Sequence, residues 1–235
     1  MDERRPLLGG LAVTGVAVAA LLAAYLHLRL AAAVSPIGQT ISDYALAPGG
    51  AGVFAAMCLA LAVGSFGLVS AVIGARRYGT VRGQMIVLLL TAWCLGLTVA
   101  ALFPTDPMSR PMSLAGETHR WAIVLAFVSL PAAAWLLSGA GAHAWTPYAG
   151  VLRFWARTGF VSLTVLMITY APVVFPGIVS GPVIIGLSER LVLFVHLALL
   201  VTLARPLLRP RTAPIRSGRN PVDQHGLPGI VAPDA

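Results

Sequence analysis

The chain has 235 residues, of which 58% are hydrophobic and only 10% charged, with a net charge of +8. A soluble globular domain carries about 25% charged residues, and with a mean hydropathy of +0.86 this chain falls outside that class. A pI near 10.7 suggests nucleic acid, but the lysine/arginine set is all arginine and lies in short stretches beside apolar runs. Positive-inside bias accounts for that pattern, and no nucleic-acid partner is expected.

Arg4 and Arg5 precede a first apolar stretch, about Leu7 to Leu28. Although Ala31 to Ala33 offer a small-residue cleavage site, this stretch exceeds the about 7–15 apolar residues of a signal peptide, so it reads as a retained transmembrane helix. Gly15, Ala19 and Ala23 recur every four residues, a face suited to close helix packing. The next loop, Arg29 to Gly50, carries Ser35-Pro36, Ile41-Ser42-Asp43-Tyr44 and Pro48-Gly49-Gly50. Ser42-Asp43 reads as a cap on a short helical turn, or as a hydroxyl nucleophile beside a carboxylate. The second stretch, about Ala51 to Gly74, has its own small face in Ala56, Ala60 and Gly64, and is followed by Arg76, Arg77 and Arg82.

The third stretch, about Gly83 to Phe103, stops at Phe103-Pro104-Thr105-Asp106-Pro107, where two prolines end the helix. The fourth is expected from about His119 to Ser138, with a kink at Pro131. Arg153 and Arg157 follow, among the interfacial aromatics Trp145, Tyr148 and Trp155. The fifth runs from about Thr158 to Phe175. A short Gly/Pro-rich loop leads into the sixth, which ends near Ala204.

Each stretch is long enough to span a bilayer, for which about 20 apolar residues are needed. The predicted fold class is therefore an all-α membrane protein, a six-transmembrane-helix bundle. Residues 1–6 form a cytoplasmic N-terminus and 7–204 the six-span domain. Residues 205–235, rich in Pro, Gly and Arg, form a disordered cytoplasmic tail. Six crossings put twelve of the sixteen arginines on one side with both termini, leaving Arg29, Arg110, Arg120 and Arg190 on the other. That side is the outer one, and a prokaryotic plasma membrane is expected. Cys58 and Cys94 fall inside spans and read as small core residues.

The same topology gathers Ser42, Asp43, Asp106, Glu117, His119, Arg120, Glu189 and Arg190 at the outer face. Glu189 and Arg190 sit within the hydrocarbon edge of the sixth span, where a charge is costly and is usually paired or turned inward. His196 lies two helical turns deeper on the same face. Asp106, His119, Glu189 and Arg190 are expected to share one pocket. The expected pairing is Glu189 or Asp106 with Arg190 or Arg120, with His119 facing the remaining carboxylate. His27 and His143 read as ordinary interfacial residues, and His225 belongs to the tail.

Several of these landmarks carry a family resemblance. They are Ser35-Pro36 and Ile41-Ser42-Asp43 after the first span, Phe103-Pro104-Thr105-Asp106 after the third, His119 opening the fourth, and Gly186-Leu187-Ser188-Glu189-Arg190 opening the sixth. In these the chain resembles the multi-pass membrane family catalogued as domain of unknown function 998, over about Leu7 to Ala204. The resemblance implies no activity, only that Asp106, His119, Glu189 and Arg190 belong together. A looser likeness links Ser42, Asp106, His119 and His196 to the alkaline-ceramidase hydrolases, which use serine, aspartate and histidines around zinc. The chain lacks their paired histidines four apart on a late helix and has six spans where they have seven.

Three functions stay open. The favoured one is a non-enzymatic membrane protein without a cofactor, whose outer polar residues Ser42, Asp43, Asp106, His119, Glu189 and Arg190 bind a lipid headgroup or small solute. The second is a metal-dependent lipid hydrolase with catalytic candidates Asp106, His119 and Glu189 and zinc-ligand candidates Asp106, His119 and His196. The third is a small-solute transporter, which calls for broken helices at mid-membrane.

Overall fold

The computed structural model describes residues 4–74, 79–107, 110–140, 144–174 and 183–208. Six long helices make up its frame: α1 (Arg4–Arg29), α2 (Ala51–Ile73), α3 (Val81–Leu102), α4 (Leu114–Ser138), α5 (Ala149–Val174) and α6 (Ile185–Leu208). All six are long and apolar enough to cross a membrane. Two short 3₁₀ turns, Ser42–Leu46 and Thr146–Tyr148, sit in the connections, and no strand occurs among the described residues. Successive helices pack on one another and α6 closes the ring against α1, while also touching α2 and α4. Large apolar side chains such as Leu21, Phe66, Leu88, Ile168 and Phe194 stand exposed around the outside. Exposure on this scale requires an apolar solvent.

Small residues set the closest approaches. A Cβ added to Gly64 would lie 2.9 Å from Gly15 Cα, and one on Gly67 would lie 2.5 Å from the Leu8 carbonyl. The small faces of α1 and α2 thus meet each other, as helices in lipid associate by contact rather than by hydrophobic exclusion. Gly96 plays the same part between α3 and α4, where an added Cβ would stand 2.6 Å from the Ala122 carbonyl.

Three helix boundaries differ from the sequence reading. The α4 helix starts five residues early because the Ser113 side chain caps it by accepting from Gly116 N–H, which puts Glu117 and His119 inside the helix. The α5 helix starts nine residues early and carries Arg153 and Arg157, whose long side chains turn back to α4: Arg153 to Ser138 Oγ and Arg157 over the Trp135 ring. The α6 helix continues through Pro206 to Leu208 because its end is buried against α1, with Leu207 beside Gly9. His143, His225 and the tail beyond Leu208 lie outside the described residues. Cys58 and Cys94 are free and buried.

Candidate functional site

The histidines and prolines explain much of the local architecture. Proline has no N–H, so the carbonyl four residues before it in a helix loses its donor. Pro131 in α4 orphans the Phe127 carbonyl in this way, and His196 Nε2 lies 2.9 Å from that oxygen. We assign the ring proton to Nε2 on this ground. Nδ1 lies 2.7 Å from the Val192 carbonyl in the preceding turn, and the ring stacks between Trp93 and Phe127. Pro104 ends α3 and likewise deprives the Ala100 carbonyl of its donor, while the Phe103 carbonyl lies just past the helix end. His119 Nδ1 sits 3.0 and 2.9 Å from these two oxygens and donates to both. His119 Nε2 is buried without a hydrogen-bond partner among the described residues.

Arg190 joins no carboxylate among the described residues. Its Nε donates to His27 Nε2 at 2.6 Å, Nη1 to the Gln39 and Gly186 carbonyls at 2.8 Å, and Nη2 to the Tyr44 hydroxyl at 3.1 Å. Arginine only donates, so His27 accepts at Nε2 and its protonated Nδ1 donates to the Ala23 carbonyl. The Arg190 guanidinium also lies over the Tyr44 ring, 5.6 Å from its centroid. This network ties α6, α1 and the loop between α1 and α2 together. His27 is therefore a half-buried structural partner rather than an ordinary interfacial residue.

The acids are held by backbone and hydroxyl donors. Glu189 Oε2 accepts from the Ile41 N–H. Asp106 accepts from Ser113 N–H and Oγ–H, across the loop it shares with the start of α4. Asp43 Oδ2 accepts from Thr40 N–H and Oγ1–H, and Asp43 N–H donates to the Thr40 carbonyl. Asp43, not Ser42, closes this turn, in the reciprocal manner of a capping box. Ser42 Oγ instead meets Thr40 Oγ1 at 2.9 Å. The expected pairing of Glu189 or Asp106 with Arg190 is thus replaced by neutral partners: Ile41 N–H for Glu189, Ser113 for Asp106, and His27, Tyr44 and two carbonyls for Arg190.

A cavity of about 380 Å³ opens where these elements meet. Asp43, Asp106, His119 and Glu189 line it, together with Ser42 and Arg120. Arg190 does not, since it is turned toward α1. Thr40, Thr105, Gly116 and Tyr170 also line the cavity, and the sequence reading did not single them out. A Cβ at Gly116 would run into the Asp106 carboxylate, so glycine there is what lets the loop after α3 fold onto α4. Below the polar end the walls are apolar, built from α4 and α5 by Phe127, Val128, Leu163, Leu166 and Met167. Val128 and Met167 are also exposed on the bundle surface.

The zinc candidates do not assemble: no group of three His, Cys, Asp or Glu able to hold a metal ion occurs among the described residues. His196 caps Phe127 and is absent from the cavity lining, and His119 Nδ1 is committed to α3. All six helices are continuous, with Pro131 and Pro172 inside α4 and α5 rather than at breaks.

No curated protein and no solved structure matches the chain significantly. The family model described as protein of unknown function (DUF998) matches residues 8–206, a span that takes in all six apolar helices, and the chain belongs to that family.

Proposed function

We propose that this integral membrane protein binds the polar group of a lipid or small solute in the cavity bounded by the 3₁₀ turn at Ser42–Leu46, the start of α4, the end of α5 and the start of α6. Ser42, Asp43, Asp106, His119 and Glu189 form its polar wall. Arg190, from the next position on α6, acts from behind by fixing the loop that carries Ile41 to Asp43. Both termini lie in the cytoplasm of a prokaryotic cell, and the cavity faces the outer leaflet. The uneven division of arginines supports that orientation.

The carrying observation is the cavity itself. Its volume of about 380 Å³ falls within the roughly 300–1,000 Å³ of small-molecule sites, and it shares their make-up of apolar walls with a few convergent polar groups. The test is native mass spectrometry of the full chain purified in mild detergent, beside Met167→Trp, which fills the apolar part. An adduct on the wild type that the variant loses supports the reading. A wild type free of adducts, even after incubation with membrane lipid extract or ethanolamine, refutes it.

A further inference from the structure

The cavity carries an imbalance of charge. Three carboxylates, Asp43, Asp106 and Glu189, line it against one guanidinium, Arg120. Asp106 has both oxygens occupied by Ser113. Glu189 and Asp43 each have one occupied oxygen, Oε2 and Oδ2, and the second oxygen of each accepts nothing among the described residues. Glu189 is only 8% exposed and His119 only 4%, and His119 Nε2 also lacks a partner. Arg190 is next in sequence to Glu189 but spends its donors on His27, Tyr44 and two carbonyls. Two half-satisfied carboxylates close to the apolar phase are costly unless a cation or a proton neutralises them.

Shape adds a second constraint. From Gly116 to Val128 the α4 wall rises by twelve residue steps, about 18 Å at the helical rise of 1.5 Å. That is more than half of the roughly 30 Å hydrocarbon thickness of a bilayer. The lining reaches Val128 on α4 and Met167 on α5, which are 46% and 51% exposed on the bundle surface. Apolar side chains exposed there face lipid rather than water.

Resting on the reading that this cavity is a binding site, we propose that its ligand is an amphiphile with a primary ammonium head. The ammonium sits between Glu189 Oε1 and Asp43 Oδ1, and its apolar chain leaves between α4 and α5. A primary ammonium has three N–H donors, two of which the second oxygens of Glu189 and Asp43 can accept. Arg120 at the rim meets an anionic group next to the ammonium, as in a zwitterionic head. The aromatic ring of Tyr170 adds a surface that favours cations.

The experiment uses full-length protein in nanodiscs of phosphatidylcholine. These contain equal amounts of phosphatidylethanolamine and phosphatidylglycerol of matched acyl chains, and lipid retention is read by native mass spectrometry. The wild type should retain phosphatidylethanolamine over phosphatidylglycerol by about tenfold, the factor carried by one hydrogen bond to a charged group. Glu189→Gln should bring that ratio close to one, while Leu88→Ala on the lipid-facing side of α3 leaves it unchanged. Free ethanolamine added in excess should not displace the lipid, because it lacks the chain. Displacement by ethanolamine would overturn the amphiphile and leave the ammonium. Equal retention of both lipids, or preference for phosphatidylglycerol, by the wild type overturns the ammonium head while the cavity remains a lipid site. Retention of neither lipid overturns the site as well. The wild-type ratio decides the proposal even if Glu189→Gln fails to fold.

Discussion

Replacing His196 with phenylalanine tests whether this histidine exists to satisfy the carbonyl that Pro131 orphans. Phenylalanine preserves the aromatic contacts with Trp93, at 5.5 Å between centroids, and Phe127, at 5.2 Å. It removes the 2.9 Å hydrogen bond to the Phe127 carbonyl. A buried acceptor left without a partner costs about 1–3 kcal/mol, while interhelical hydrogen bonds in membranes average about 0.6 and reach about 1.7 kcal/mol. The expected destabilisation is therefore about 1–2 kcal/mol. In a Pro131→Ala background the alanine N–H returns to the Phe127 carbonyl, so the same substitution should cost less than about 0.5 kcal/mol. The assay is reversible unfolding in mixed micelles of increasing dodecyl sulfate, followed by tryptophan fluorescence, for the four members of the double-mutant cycle. Equal costs in the two backgrounds would refute the reasoning.

Gly64→Val should separate α1 from α2 and lower stability by more than about 2 kcal/mol, whereas Gly10→Ala, with nothing within 4 Å of the new methyl, should be neutral or slightly stabilising in the same unfolding assay. Arg190→Lys replaces a forked donor with a point charge that cannot reach His27, Tyr44 and both carbonyls together, and should cost about 2 kcal/mol; wild-type stability would remove the network from the account. Deleting Arg211 to Ala235 should leave membrane insertion and thermal midpoint unchanged, because the stretch has too little apolar surface to pack; a lower midpoint would show that it docks. Fusions of a compartment-sensitive reporter after Arg157 and at the C-terminus should report the cytoplasm, and a fusion near Pro48 the exterior; an external C-terminus would overturn the orientation.

Six spans were legible because apolar runs of the right length cannot be mistaken in a chain this poor in charge. The meeting of α1 and α2 through Gly15 and Gly64 was also legible, since small residues four apart mark the faces that touch. The starts of α4 and α5 were not, because hydropathy locates the lipid-facing part of a helix and overlooks the polar turns before it. Ser113 and the first two turns of α5 were missed in that way. The turn closed by Asp43 onto Thr40 could have been found from the capping-box spacing of Thr40 and Asp43. The orphaned carbonyls of Ala100 and Phe127 could also be read from Pro104 and Pro131. The donors that fill them could not: His196 comes 69 residues after Phe127. Arg190 meets His27 across 163 residues, beyond any local pattern. For that reason the sequence named Asp106, His119 and Glu189 as neighbours of one cavity but assigned them the wrong partners.

The central claim is a cavity that opens at the outer face and is reached from there. Met112 lines it and is 47% exposed, while both native cysteines are buried and should contribute little background. The direct measurement is labelling of Met112→Cys in intact cells with a membrane-impermeant maleimide. The account predicts modification without permeabilisation, and slower modification once the cavity is filled by Met167→Trp. Modification only after the cells are permeabilised would contradict it.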